Sequence, residues 1–93
     1  MRIAITGSNG QLGRALQREL AGQSLMPIDL PEYDITDLGA ITAAVRTYAP
    51  DLIVHTAAIT DVDGCERDPD LAYRVNVLGT RNIAVAAQQS AAA

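Results

Sequence analysis

Lysine, tryptophan and phenylalanine are absent from this chain of 93 residues, and cysteine and histidine occur once each. With Cys65 as the only cysteine, no disulfide can close within the chain, and the cytoplasm is the expected compartment. All seven basic residues are arginines, set against 11 acidic ones, for a net charge of −4. An acidic chain without a basic cluster is poorly suited to nucleic acid, because phosphate neutralisation dominates that affinity. Long apolar runs are missing too. The longest covers residues 83–87, against the roughly 20 residues needed to cross a bilayer. Nor does the N-terminus carry the extended apolar core of a secretory signal, since Arg2 opens a short run that stops at Gly7. Neither a nucleic-acid partner nor membrane association is expected. With only three tyrosines as aromatics, the core must come from Ile, Val, Leu and Ala. In one small domain such a core is modest.

What is present is a hydrophobic fraction of 48%, too rich for a disordered tail. Residues 2–6 (RIAIT) form an apolar, β-branched run and read as a buried strand. From Gln11 to Ala21 the period changes: Leu12, Ala15, Leu16 and Leu20 share one helical face, with Gly22 as a stop. Residues 24–29 (SLMPID) predict a second strand, weakened at Pro27, which lacks a donor. Asp34-Ile35-Thr36 predicts a very short third strand after a connector. Thr36 or Asp37 then caps a helix to about Ala49, ended by Pro50. Residues 52–55 (LIVH) are the next buried strand. Pro69, flanked by Asp68 and Asp70, opens a last helix with Leu71, Val75, Leu78, Asn82 and Ala86 on one stripe. The tail, residues 88–93, reads as frayed. The alternation predicts an α/β fold with a parallel sheet and helical crossovers.

The sharpest motif is Gly7-Ser8-Asn9-Gly10-Gln11-Leu12-Gly13, between the first strand and the first helix. Glycine there permits a tight turn, close approach of the main chain to a pyrophosphate, and close packing of helix on sheet. The helix N-terminus adds free N–H groups and a positive dipole end. Asp29 ends the second strand about 20 residues beyond Gly7, where a carboxylate accepts bonds from ribose hydroxyls. The same carboxylate repels a 2′-phosphate, so charge alone favours NADH over NADPH. The expected architecture is a three-layer Rossmann-type parallel sheet of about four strands and three helices.

These stretches, with ITGSNGQLGR at 5–14, DITD at 34–37, PDLIVHTAAITDVDGCE at 50–66 and AYRVNVLGTRNIA at 72–84, resemble the extended short-chain dehydrogenase/reductase superfamily. Within it they are most similar to the dTDP-4-dehydrorhamnose reductase family, over essentially the whole chain. The resemblance implies NADH or NADPH as cofactor and a nucleotide sugar as substrate. It places Gly7, Gly10 and Gly13 around the pyrophosphate, with Asn9, Gln11 and Leu12 beside them. It places Asp34 and Ile35 by the adenine. Ala57, Ala58 and Thr60 would line the ribose and nicotinamide side, Val62 would approach the sugar nucleotide, and Asn76 would support a proton-relay water. From the residues alone, Ala57 and Ala58 also read as tight packing, and Asn76 as a side chain bonded to a nearby carbonyl.

The superfamily protonates its product with a Tyr-x-x-x-Lys pair, because hydride addition to a carbonyl creates an alkoxide. Here Tyr33, Tyr48 and Tyr73 are followed four positions on by Asp37, Leu52 and Val77. Residues 1–93 are therefore expected to be the N-terminal dinucleotide-binding portion, inactive alone, with the catalytic pair and substrate domain further along. Two other readings stay open: part of a nucleotide-sugar epimerase or dehydratase, or a non-catalytic dinucleotide-binding regulatory subunit. His55 ends a strand and reads as a packed, hydrogen-bonded residue rather than a catalytic base. Cys65 has no histidine near it in sequence, and Asp61, Asp63, Glu66, Asp68 and Asp70 lack calcium-loop spacing, so no metal site is expected. Strand 52–55 would form a sheet edge, open to self-association.

Overall fold

The computed structural model describes residues 1–57 and 68–93. Strand β1 (Arg2–Thr6) leads to helix α1 (Gln11–Glu19), β2 (Ser24–Ile28), α2 (Leu38–Tyr48) and β3 (Leu52–His55). A long helical stretch follows, made of α3 (Pro69–Tyr73), a π-helical segment (Arg74–Gly79) and α4 (Thr80–Gln89). The strands form one parallel sheet in the order β2-β1-β3.

β1 lies in the middle because its run of apolar residues can be buried on both faces. Ile3, Ala4 and Ile5 are all buried. Ala4 joins Ile28, Ile41, Val45, Ile83 and Ala86 in one cluster under α2 and α4. Strand alternation turns Ile3 and Ile5 to the other face, where α1 packs on β1. The result is three layers. Each fully buried Ile or Val contributes roughly 1.5–3 kcal/mol, and Ile5, Ile28, Ile41 and Val45 are the largest apolar residues of that kind.

Local chemistry sets the helix limits. Asp37 is the N-cap of α2, its carboxylate accepting the Ala40 N–H at 3.0 Å. That helix ends at Ala49, held left-handed at φ 53, followed by Pro50. Asp68 caps α3 by accepting the Leu71 N–H at 3.0 Å, with Pro69 at the first helical position. α1 is shorter than its periodicity predicts. It ends at Glu19, and a turn closed by Gln23 N–H on Leu20 O carries the chain past Gly22.

Two expectations are corrected. Residues 34–36 are a turn, not a strand. The Asp34 carboxylate accepts the Thr36 N–H at 2.9 Å and the Thr36 hydroxyl at 2.7 Å, which bends the chain while Ile35 drops into the core. The tail is not frayed at its end. Past Ala91 at φ 55, Ala93 returns to the outer edge of β3, donating to Asp51 O at 3.1 Å and accepting from Ile53 N–H at 2.7 Å. Pro27 sits opposite Ile5 on the other edge strand, β2, the kind of position that tolerates it. Among the described residues, no helix is long and apolar enough to cross a membrane.

Candidate functional site

The glycine loop turns out of β1 within one bonded turn, Gly10 N–H donating to Gly7 O at 3.0 Å. Gly7 stands at φ 65, and a Cβ there would meet Thr56 Oγ1 at 2.6 Å and the Ala57 nitrogen at 2.8 Å. A Cβ on Gly13 would overlap the Gly7 carbonyl and come within 2.7 Å of Ser8 Cα. These two glycines are therefore required by the fold, which draws α1 tight against the turn. Gly10 differs. It is the N-cap of α1 with ordinary extended angles and offers no side-chain cap, and a Cβ on it would meet only Gly7 O, at 3.3 Å. Arg14 N–H opens the helical ladder by donating to Gly10 O at 2.9 Å. The N–H groups of Gln11, Leu12 and Gly13 precede it and form the helix's positive end.

The loop borders a cavity of about 330 Å³ at the C-terminal ends of the strands. This is the crevice where open parallel sheets take ligands. Gly7 and Gly10 form one side, Asp29, Asp34 and Ile35 a second, Thr56 and Ala57 the floor, and Leu71 and Val75 the helical wall. Thr6 organises the floor from beneath. Fully buried, its hydroxyl oxygen accepts the N–H of Thr56 at 3.0 Å and of Ala57 at 3.2 Å. The Thr56 hydroxyl donates to Thr6 O in return.

Asp29 binds the loop to the second strand. One carboxylate oxygen accepts the Asn9 N–H at 2.9 Å and the other the Leu30 N–H at 2.8 Å. A carboxylate has about four acceptor positions, so both oxygens retain capacity for hydroxyl donors. A hollow of about 510 Å³ adjoins on the outer side, with Asp29 and Glu32 in its lining and no basic residue among those that line it. Bonding to Thr36 holds the Asp34 carboxyl below its usual range, with a smaller contribution from Arg74.

The Asp34–Ile35 wall is fixed from behind. The buried Asn82 donates its amide to Ile35 O at 2.9 Å, and the Ile35 side chain seats on Gly79, where a Cβ would come within 2.6 Å of it. Asn82 reads as a stripe residue in the sequence, and this use of it has no local signal. His55 is half-buried and bonded through both ring nitrogens, to Thr6 Oγ1 and Thr80 Oγ1, in line with a packed residue. Burial pushes its pKa below 6.5.

Of the residues expected to bind cofactor, Gly7, Gly10, Asp29, Asp34, Ile35 and Ala57 meet around the one cavity. Asn9 lines the outer hollow, and its side-chain amide bonds Leu30 O at 3.2 Å. Gly13 is buried under the loop, while Gln11 and Leu12 are exposed on the first turn of α1. Asn76 lies in the π-helical segment, its carbonyl accepting the Thr80 hydroxyl at 2.9 Å. Ala58, Thr60 and Val62 fall outside the described residues, as do Asp61, Asp63, Cys65 and Glu66. Sequence reasoning missed Ile28, Leu30, Tyr33, Thr56, Leu71 and Val75 as cavity lining.

Known proteins share this fold. The chain is 37% identical over 89 residues to a dTDP-4-dehydrorhamnose reductase of Aggregatibacter actinomycetemcomitans, covering 92% of this chain and 30% of that one. The dTDP-4-dehydrorhamnose reductase of Bacillus anthracis, solved in complex with NADP, superposes with a TM-score of 0.91 at 43% identity, over 98% of this chain and 33% of that one. A UDP-glucose 4-epimerase of Thermus thermophilus, solved with NAD, also gives 0.91, at 27% identity, over 98% of this chain and 35% of that one. The chain thus spans about a third of the length of such relatives. Residues 1–93 match a single family throughout, and the chain belongs to it: the RmlD substrate binding domain family.

Proposed function

We propose that this chain is the dinucleotide-binding part of a dTDP-4-dehydrorhamnose reductase, taking NADH or NADPH in the cavity beside the glycine loop. The observation that carries the reading is the cradle itself. A bare main chain at Gly7 and Gly10 opens onto the N-terminus of α1 and onto a cavity at the strand ends. The bound nicotinamide would supply hydride to the carbonyl of dTDP-4-dehydrorhamnose. The chain's own residues bind and orient. Gly7, Gly10 and Gly13, with Asn9, Gln11 and Leu12, take the pyrophosphate; Asp29 takes the adenosine ribose; Asp34 and Ile35 flank the adenine. Ala57, with Ala58 and Thr60, takes the nicotinamide side, Val62 meets the substrate, and Asn76 supports the proton relay. Asp29 and Glu32 at the outer hollow favour NADH over a cofactor with a 2′-phosphate.

The proton donor is not in these residues, since no tyrosine here has a lysine four positions on. The chain alone therefore binds without turnover. The reductase reading is preferred to the epimerase one because sequence identity is 43% to the reductase structure and 27% to the epimerase at equal superposition. β3 is a terminal strand of the sheet, and we propose self-association along its outer edge. Sedimentation showing only monomer across a wide concentration range would refute that part.

The test of binding is a fluorescence titration of the chain with NADH and NADPH, repeated on Gly10→Ala. The expected result is saturable binding, tighter for NADH, and weakened about tenfold by the added methyl, with unchanged folding. Absence of binding, or binding indifferent to Gly10→Ala, contradicts the proposal.

A further inference from the structure

His55 sits where β1, β3 and the helical stretch meet, and its protons can be placed by counting. Its Nδ1 lies 2.6 Å from Thr6 Oγ1 and its Nε2 lies 2.9 Å from Thr80 Oγ1. The single hydroxyl proton of Thr80 goes to the main-chain oxygen of Asn76, at 2.9 Å. Toward the ring Thr80 can then only accept, so Nε2 carries a hydrogen. On the other side, Thr6 Oγ1 already accepts the N–H groups of Thr56 and Ala57, at 3.0 and 3.2 Å. Both its lone pairs are used. Its own proton must go to Nδ1, which is therefore bare. Two separate counts arrive at the same neutral ring.

We propose that His55 is a positioning residue of the cleft: as the neutral Nε2–H tautomer it ties the π-helical segment to the ends of β1 and β3. The segment carries Val75, part of the cavity's helical wall, and Ala57 is part of its floor. The chain of bonds runs from that floor through Thr6, His55 and Thr80 to Asn76. A proton on Nδ1 would face an oxygen with no free lone pair. Thr6 would have to release Thr56 or Ala57, and the floor would shift. Among the described residues, the charged groups on the surrounding elements are Arg2 at the far end of β1, Asp51 just before β3, and Asp68, Asp70, Arg74 and Arg81 on the helical stretch and its cap. Burial is the cause of the ring's lowered proton affinity.

The tautomer stands independently of the dinucleotide reading; the effect on affinity rests on it. Long-range 1H–15N spectra of the intact chain, recorded from about pH 8 to about pH 5, report both ring nitrogens. We expect a pyrrole-type Nε2 and a pyridine-type Nδ1, with the midpoint of protonation below the ordinary 6.5. An Nδ1–H ring, or one that titrates at the ordinary value in the folded chain, overturns the assignment. In parallel, NADH affinity should hold steady at neutral pH, fall as the ring protonates, and drop several-fold at neutral pH in Thr80→Val with secondary structure retained. A Thr80→Val chain that binds NADH like wild type refutes the positioning role. Should wild type bind no NADH at any pH, the dinucleotide reading has failed and the positioning role with it, while the ring spectrum still decides the tautomer.

Discussion

Alanine placed at each of the three loop glycines in turn should give three different stabilities, although the motif treats them alike. Gly7→Ala adds a side chain at φ 65, a conformation costing about 1–2 kcal/mol for an L residue. Its methyl also enters Thr56 Oγ1 at 2.6 Å and the Ala57 nitrogen at 2.8 Å, and overpacking of that kind costs about 1–3 kcal/mol. The total is roughly 2–5 kcal/mol, a large share of the 5–15 kcal/mol that holds a typical domain. Gly13→Ala has a harder packing fault, overlapping Gly7 O and coming within 2.7 Å of Ser8 Cα, main-chain atoms that cannot rotate away, which puts it at the upper end of that range, about 3 kcal/mol. It recovers up to about 1 kcal/mol of helix propensity, because position 13 lies inside α1. Its net cost is about 2 kcal/mol. Gly10→Ala meets one atom, at 3.3 Å, from an unstrained N-cap, and its cost stays below about 1 kcal/mol. Urea denaturation followed by circular dichroism measures all three. The order of damage should be Gly7, then Gly13, then Gly10. Gly10→Ala as the most destabilised variant, or Gly7→Ala as stable as wild type, would refute the account of the loop.

Other outcomes follow from single contacts. Asn82→Ala strips the Ile35 carbonyl of its buried donor and should cost about 1–3 kcal/mol in the same assay, with greater hydrogen exchange in residues 34–37. Ala49→Gly relieves a left-handed alanine at φ 53 and should stabilise by up to about 1 kcal/mol; a loss of stability would contradict that. Acid should weaken the fold in two windows. His55 binds its proton less readily folded than unfolded, so its contribution is complete above 6.5 and declines as the pH falls below that value. Asp34, held below 3.8, adds a second, later decline as the pH drops under 3.8. Stability that rises as the pH falls below 6.5 would reverse the first sign, and a rise below 3.8 the second.

How much of this was legible beforehand depends on the range of the interaction. β1, the turn at Gly7 and the start of α1 come from neighbouring residues, and a β-branched run broken by glycine displays them directly. The caps at Asp37 and Asp68 are equally local. The turn at Asp34–Thr36 was hidden because three residues of β-compatible character also suit a side-chain-bonded turn, and Asp34 decides it through Thr36. The Asn82 contact joins positions separated by 47 residues, and the His55 contacts span 49 and 25. No periodicity encodes such pairs. The helical stripe containing Asn82 was visible, but what its amide would meet was not. The site divides the same way: its glycine rim was read from the motif, and the wall formed by Leu71 and Val75 needed the fold.

The central claim is that the bare turn after β1 holds a dinucleotide against the first turn of α1. Backbone amide spectra of the chain, recorded with increasing NADH, test it most directly. The account predicts saturable shifts at Gly7, Gly10, Gln11, Leu12 and Ala57, with the far ends of the strands, at Arg2 and Ser24, unmoved. Spectra in which those loop amides stay fixed, or in which shifts gather elsewhere on the molecule, would contradict it.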